Sequence, residues 1–183
     1  MKEIHNIKEI ACIERLENEY DLQKASLLER KLRLMSDENP HLKPLRNKLR
    51  DLIKDYEDRH WSDLDNISDS QIKESDTANV LIENETVFIQ KRKETIRTKL
   101  KAHNMTQQDL GTILGHPKSY MSELMNGVSQ FSLKDLVIIH RILGIHLNHL
   151  IPTFLQPETR EKVNSSINKL NNPKIKLKNT ETV

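Results

Sequence analysis

Four polar residues with hydrogen-bonding side chains stand close together in "HPKSYMSELMNG", the segment from His116 to Gly127. They are a cation, two hydroxyls and a carboxylate, namely Lys118, Ser119, Ser122 and Glu123. Lysine can donate to O6 and N7 of guanine, serine can pair with any base, and glutamate can accept from N4 of cytosine. Because the apolar Met121 and Leu124 alternate with them at helical spacing, the segment predicts a short helix whose polar face suits the base edges of DNA.

Capping residues divide the surrounding sequence into short helices. Thr106 is followed three residues later by Asp109, which is typical of a capping box at a helix start. All four glycines of the chain lie between positions 111 and 144, and Gly115 and Gly127 can supply left-handed helix stops. Ser132 with Asp135 repeats the capping pattern before a further helix.

Two of these helices, Gln107–Leu114 and Pro117–Met125, are joined by a tight turn and predict a helix-turn-helix. Its second helix can enter the major groove with its N-terminus first. The first helix presents its own N-terminus, at Thr106 and Gln107, as a site for a backbone phosphate. The apolar side chains expected in the core of this motif are Leu110, Ile113, Leu114, Met121 and Leu124.

The stretch "MTQQDLGTILGHPKSYMSELMNGVSQFSLKDLVIIHRILGIHLNHLI" resembles the XRE (phage repressor-like) helix-turn-helix domain. Thr-Gln at the first helix, Leu-Gly between the helices and Asn-Gly after the second carry the resemblance. It implies an all-α domain of five helices that binds double-stranded operator DNA. It places Lys118, Ser119 and Glu123 at base-reading positions, and Ser122 lies on the same predicted face. The phosphate-contacting residues that we expect are Thr106, Gln107, His116, Tyr120, Asn126, Arg97 and Lys101.

The sequence departs from this family pattern at two places. Val128, Ser129 and Gln130 follow Gly127 where basic residues are common, and Glu123 stands where Arg or Gln is more usual. A glutamate repels phosphates, so it implies either a cytosine contact or weaker binding. The dense run of Lys and Arg over residues 91–101 can restore the attraction.

The N-terminal half predicts two amphipathic helices, over residues 13–35 and from about 42 to 61, separated by the turn sequence "SDENP". Two such stripes bury little apolar surface, so a further helix or a second subunit is expected to cover them. We therefore expect four segments: a helical interaction or dimerisation region over 1–61, an acidic linker with a possible short helix over 62–84, the helix-turn-helix domain over 85–156, and a basic, partly disordered tail over 157–183.

Charge differs strongly between the two halves. Residues 1–90 hold 14 Lys/Arg against 20 Asp/Glu, a net of −6, whereas residues 91–183 hold 15 against 7, a net of +8. The motifs "ENEY" and "DENPHLKPLRNKL" before the linker resemble HigA-type antitoxins. That resemblance implies that the domain represses its own operon and that the N-terminal part binds a cognate toxin or dimerises. The partner-binding residues that we expect are Tyr20, Leu28, Leu49 and Tyr56.

Other classes of function find little support in the residues. One cysteine, Cys12, permits no disulfide framework and no Cys-based zinc site within one chain. His140, His146 and His149 form no helical i,i+4 pair, so ordinary helix histidines are favoured over a metal site. No catalytic motif is present. We expect neither an enzyme nor a cofactor nor a metal, and a cytoplasmic protein without a signal peptide or membrane span.

The sequence therefore predicts an all-α, sequence-specific repressor that acts as a homodimer on a two-fold operator, with antitoxin activity implied by the HigA resemblance. Two alternatives stay open. The first is a stand-alone XRE-family regulator without a toxin, whose N-terminal helices only dimerise. The second is a protein-interaction module whose helix-turn-helix serves only as a scaffold.

Overall fold

The fold is all-helical over the residues that the structure describes, which confirms the predicted all-α class. The structure is a computed structural model, and the residues it describes are 10, 12–36, 39–63, 67–153, 155 and 157–178. The chain divides into two compact units, residues 1–150 and residues 151–183. Among the described helices none is long and apolar enough to cross a membrane.

The first unit begins with the predicted helical hairpin. Helix α1 spans Glu19–Met35 and starts at Asn18, whose side chain accepts a 2.8 Å hydrogen bond from the amide of Asp21. A 3₁₀ turn, Pro40–Leu42, leads into helix α2, Lys43–His60, which carries a proline in its first turn. Proline is tolerated there because the first amides of a helix have no internal partner.

The segment over 62–84, which we expected to be an acidic linker with a short helix, belongs largely to a long helix. Helix α3 runs without a break from Asp69 to Ala102, 34 residues and about 50 Å. The side chain of Ser68 caps it by accepting from the amide of Gln71. Buried residues recur along it every three to seven positions, and they are Ala78, Ile82, Ile89, Arg92, Ile96 and Leu100. The acidic, polar composition of this segment suggested a linker. The helix forms nevertheless because packing of its buried side chains stabilises it, and not because its residues have a high helix propensity.

Helix α1 packs between α2 and α3, so α3 supplies the covering helix that the hairpin needed. The shared core contains Leu22, Ala25, Leu28, Leu32, Leu49, Leu52 and Tyr56. Leu28, Leu49 and Tyr56, which we expected to bind a partner, are each at most 3% exposed and pack in this core instead of lying on the surface. Tyr20 is half-buried, and its hydroxyl lies 3.4 Å from Oε2 of Glu85 on α3.

The rest of the first unit is a cluster of short helices around the second half of α3. Helices α4 (Gln107–Leu114), α5 (Lys118–Asn126) and α6 (Leu133–Leu143) follow in order. A 3₁₀ turn, Leu147–His149, follows α6 near the end of this unit. The second unit contains helix α7, Pro157–Leu170, in the segment that we expected to be a basic, partly disordered tail. The last five residues of the tail lie outside the described residues.

Candidate nucleic-acid interface

The start of α4 is fixed by the predicted capping box. The amide and the hydroxyl of Thr106 both donate to Oδ2 of Asp109 at 2.7 Å, and the amide of Asp109 donates back to the Thr106 hydroxyl at 3.2 Å. These bonds lower the pKa of Asp109. Thr106 is therefore committed to the cap, and a phosphate at this end would meet the amides of the first turn, beginning at Gln107.

Close approach of α4 and α5 depends on a glycine inside α4. A Cβ at Gly111 would stand 2.8 Å from Cγ of Met121 and 3.0 Å from the carbonyl oxygen of His116. Leu110, Met121 and Leu124 are fully buried where the two helices meet. Ile113 was expected there too, but it is 45% exposed. The motif thus holds α5 at short range against α4 and leaves its opposite face outward.

The outward face of α5 is narrow and polar. Lys118 is exposed in the first turn, and Ser119 and Ser122 are half-exposed. Asn126 continues the same face, since residues 118, 122 and 126 are spaced by four. Its side-chain amide donates to the carbonyl of Ser122 at 2.8 Å. Three of the four expected base-reading residues therefore lie together on one accessible surface.

The fourth, Glu123, is not on this surface, so the expectation that it faces outward is wrong. It is 6% exposed. Its Oε2 accepts a hydrogen bond from the hydroxyl of Ser129 at 3.1 Å, and its Oε1 lies 3.5 Å from Nε2 of His41. The cause is tertiary, because the turn of the hairpin packs beside α5 and covers this flank. The Glu123 carboxylate is therefore held away from the outward face of α5, where it would repel the phosphates of bound DNA.

A lysine from α3 reaches the C-terminal end of α5. Nζ of Lys93 donates to Oδ1 of Asn126 at 2.6 Å. Burial and the neighbouring charge of Arg97 lower the pKa of Lys93. Lys93 lay in the basic run noted in the sequence, but nothing local indicated that it would contact α5. His41 had no sequence signal at all, because its neighbour in α5 is 82 positions away.

The turn between α4 and α5 is anchored by His116 rather than left free. Its Nε2 lies 3.1 Å from Oδ1 of Asp135, the capping residue at the start of α6. Burial raises the pKa of Asp135, but the bonds from Ser132 and His116 outweigh it and the pKa is lowered overall. Tyr120 meets the His116 ring edge-on, with 5.0 Å between the centroids. His116 is thus occupied in the fold, and burial raises the pKa of the half-buried Tyr120 hydroxyl.

The basic run on α3 divides into exposed and buried members. Arg97 and Lys101, the two expected phosphate contacts, are exposed and lie one turn apart. Arg92 is buried, stacks against Phe88 and Phe131, and reaches the carbonyl of Leu150 at 3.4 Å. Arg97 and Lys101, at the end of the run, can therefore attract phosphates, whereas Arg92 packs in the core. Within the described ranges, no group of three or more His, Cys, Asp or Glu is arranged to hold a metal ion.

Residues 96–150 match the family model described as Helix-turn-helix. The match begins near the end of α3 and covers α4, α5, α6 and the last 3₁₀ turn. It supports an XRE-type helix-turn-helix domain and a DNA-binding transcription regulator, a class that is generally not enzymatic. No curated protein and no solved structure matches the chain significantly.

Proposed function

We propose that the chain is a sequence-specific repressor that reads its operator with Lys118, Ser119 and Ser122. The observation that carries the proposal is the accessible polar face of α5, held at the surface by a helix-turn-helix with a capped first helix. Lys118 stands in the first turn, which is the part of such a helix that meets base edges. The phosphate contacts that we propose are Gln107, Tyr120, Asn126, Arg97 and Lys101.

The proposal gives Lys93 a role beside these contacts. Its ammonium is bonded to Asn126, so it brings a positive charge to the end of α5 where basic residues are missing after Gly127. Glu123 is buried and is not among the proposed base contacts. Thr106 and His116 are proposed to act through the cap and the turn rather than by touching phosphate.

We propose further that the repressor acts as a homodimer on a two-fold site. The exposed apolar pair Leu133 and Val137, one turn apart on α6, supports a self-contact in this domain, because Leu133 is 70% exposed. Sedimentation of the purified chain tests it. Wild type is expected to sediment as a dimer at micromolar concentration, and Leu133→Ser is expected to shift towards the monomer. A monomeric wild type would contradict it.

A reporter assay tests repression. The DNA upstream of the coding sequence is placed before a reporter gene, and the chain is supplied in trans. Wild type is expected to lower expression, and the double variant Lys118→Ala with Ser119→Ala is expected to restore it. A matched double variant, Ser70→Ala with Lys73→Ala, changes exposed residues near the start of α3 and is expected to repress like wild type. Equal repression by all three proteins would contradict base reading by α5.

A second proposal is antitoxin activity, with a small basic toxin as the partner. It rests on the HigA resemblance and on the net charge of −6 over residues 1–90. Since Leu28, Leu49 and Tyr56 are in the core, a toxin would have to bind the outer surface of the hairpin. A groove between α1 and α2 is lined there by charges of both signs, the acids being Glu29, Asp51 and Glu57 and the bases Arg30, Arg50 and Lys54.

Co-expression with the small reading frame beside this gene tests the second proposal. The neighbour alone is expected to arrest growth, and the chain is expected to restore growth and to co-purify with it. Reversing the groove charges with Asp51→Lys and Glu57→Lys is expected to weaken both effects. If the neighbour is harmless, the stand-alone repressor remains the proposed function. If the chain neither binds DNA nor represses the reporter gene, the protein-interaction module remains.

A further inference from the structure

A buried carboxylate with one unused oxygen lies at the base of the hairpin, far along the chain from the helix-turn-helix. Glu19, the first residue of α1, is 1% exposed. Its Oε1 accepts two hydrogen bonds, from the Tyr56 hydroxyl at 3.0 Å and from Nε1 of Trp61 at 2.8 Å. Its Oε2 is buried and has no hydrogen-bond partner among the described residues. An unpaired buried carboxylate oxygen is costly, so most buried polar atoms in native structures have a partner from the protein, a water or a ligand.

Glu19 lines a pocket of about 500 Å³, a volume that suits a small ligand. The other lining residues come from all three long helices and from the residues after α2, and they are Leu22, Gln23, Glu57, Asp58, Trp61, Ser62 and Ser75. Glu57 and Asp58 are exposed at its rim. The pocket thus combines three carboxylates with an indole ring and two hydroxyls.

The cations nearby do not neutralise this group of acids. Arg59, in the same turn of α2 as Glu57 and Asp58, is bonded to Asp55 at 2.8 Å and stacks over the ring of Tyr56. Among the described ion pairs, none involves Glu19, Glu57 or Asp58. Burial, and then the hydrogen bond to Glu19, raise the pKa of the Tyr56 hydroxyl, so this group remains a donor to the carboxylate and does not neutralise it.

We propose that this pocket binds an organic cation, a guanidinium or ammonium group that pairs with Glu19 Oε2 while Trp61 forms one wall. A guanidinium suits the site because it can pair with a carboxylate and stack on an aromatic face. A metal ion fits less well, since no described group of acidic or histidine side chains is arranged to hold one. The pocket is lined by residues of α1, α2 and α3, so a bound cation ties the hairpin to the helix that continues into the DNA-binding domain.

The site carries its own reporter, because Trp61 is the only tryptophan of the chain. The full-length protein is titrated with butylguanidinium, with butylammonium and with butylurea, an uncharged molecule of matched shape, at constant ionic strength. A saturable change in Trp61 emission is expected with one or both cations and not with butylurea. A response to the cations no larger than that to butylurea or to sodium chloride would overturn the proposal.

Variants locate the binding group. Glu19→Gln is expected to weaken the cation at least tenfold, whereas Glu14→Gln, at an exposed position before α1, is expected to bind like wild type. If Glu19→Gln does not fold, Asp58→Asn at the rim is expected to weaken binding several-fold in a folded protein. A folded Glu19→Gln protein that binds like wild type, or an unchanged Asp58→Asn where Glu19→Gln does not fold, would overturn the assignment.

The peptide acetyl-Gly-Arg-Gly-amide separates two sources of the same group. Tighter binding of the peptide than of butylguanidinium would identify a protein side chain as the ligand, and weaker binding would identify a free compound. Both results keep the cationic group, and failure of the peptide, butylguanidinium and butylammonium alike to bind overturns it. Because none of these measurements uses DNA, the outcome is independent of the proposed repressor function.

Discussion

Nε2 of His41 lies 3.5 Å from Oε1 of Glu123, and this contact joins the turn of the N-terminal hairpin to the helix proposed to read DNA. His41 is largely exposed, whereas the Glu123 side chain is 7% exposed. Val128, just after α5, is buried in the same cluster as the hairpin core. The hairpin and the helix-turn-helix therefore belong to one compact unit, residues 1–150.

Replacing Glu123 with alanine is expected to lower stability without changing base preference. The substitution removes the buried carboxylate that accepts a hydrogen bond from the Ser129 hydroxyl at 3.1 Å and lies 3.5 Å from His41. A hydrogen bond to a charged group contributes about 1.5–3 kcal/mol. Urea unfolding measures the free energy, and selection of sequences from random DNA measures the preference. Glu83→Ala, at an exposed position of α3, is the control. Loss of a preference for cytosine in the Glu123→Ala protein would contradict the burial of Glu123, because the carboxylate can accept from cytosine N4 only if it faces the DNA.

Two glycines with the same backbone conformation offer a matched test of packing. Gly127 has φ +66° and Gly144 has φ +61°, so alanine is strained at both. A Cβ at Gly127 would stand 2.6 Å from Cδ1 of Ile89, whereas a Cβ at Gly144 meets nothing within 4 Å. Gly144→Ala is expected to cost about 1 kcal/mol, and Gly127→Ala a further 1–3 kcal/mol or so from overpacking.

Thermal and urea unfolding of both glycine variants measure this difference. Equal losses of stability would mean that α3 and the end of α5 are not packed through Ile89. Because Gly127 follows α5 directly, the Gly127→Ala protein is also expected to lose operator affinity, whereas Gly144→Ala keeps it.

Lys118→Ala is expected to cost about 1–3 kcal/mol of specific binding and to relax selectivity at one base pair, because a lysine in the first turn pairs with one base edge. Fluorescence anisotropy with a selected operator and its single-base variants measures both effects. Lys73→Ala, at an exposed position near the start of α3, removes the same charge away from α5 and is expected to leave selectivity unchanged. A uniform loss across all sequences would assign Lys118 to phosphate instead.

Stability is expected to depend on pH through Lys31, on the side of α1 that faces α3. Burial, and then the charge of Lys24, lower the pKa of Lys31 from 10.5 to about 8. Since the fold penalises the charged form, the unfolded chain binds the proton more tightly between these values, and stability rises with pH across that window. Lys31→Met is therefore expected to stabilise the protein at pH 7, by on the order of 1–3 kcal/mol.

The advantage of Lys31→Met over wild type is expected to shrink as pH rises from 8 towards 10.5. Urea unfolding at several pH values measures it, and Lys54→Met, at an exposed position of α2, is expected to show no such trend. A stability difference that does not vary with pH would mean that Lys31 titrates normally in the folded protein.

The features that depend on local chemistry could be predicted from the sequence. Both capping boxes, at Thr106 with Asp109 and at Ser132 with Asp135, are present, since a capping bond joins residues three apart. Gly115 and Gly127 end their helices in the left-handed conformation for the same reason. The hairpin was predicted because its apolar spacing is regular.

The features that depend on distant residues could not be predicted. Glu123 is polar and next to serine, and only the hairpin turn packed beside it explains its burial. The positions of Leu28 and Leu49 in the sequence fit either an internal core or a partner-binding surface. An apolar stripe on a helix shows that something covers it but does not identify the covering element. The covering helix came from the acidic stretch after Ser68, where the buried positions are too widely spaced to stand out.

Affinity for a selected operator, compared with a scrambled duplex of equal length at the same salt concentration, tests the central claim most directly. If the polar face of α5 reads bases, the operator is expected to bind at least about a thousandfold more tightly. Protection of two half-sites about 34 Å apart would accompany it for a dimer. Equal binding of both duplexes, lost together as salt rises, would contradict the account and leave only charge attraction to the backbone.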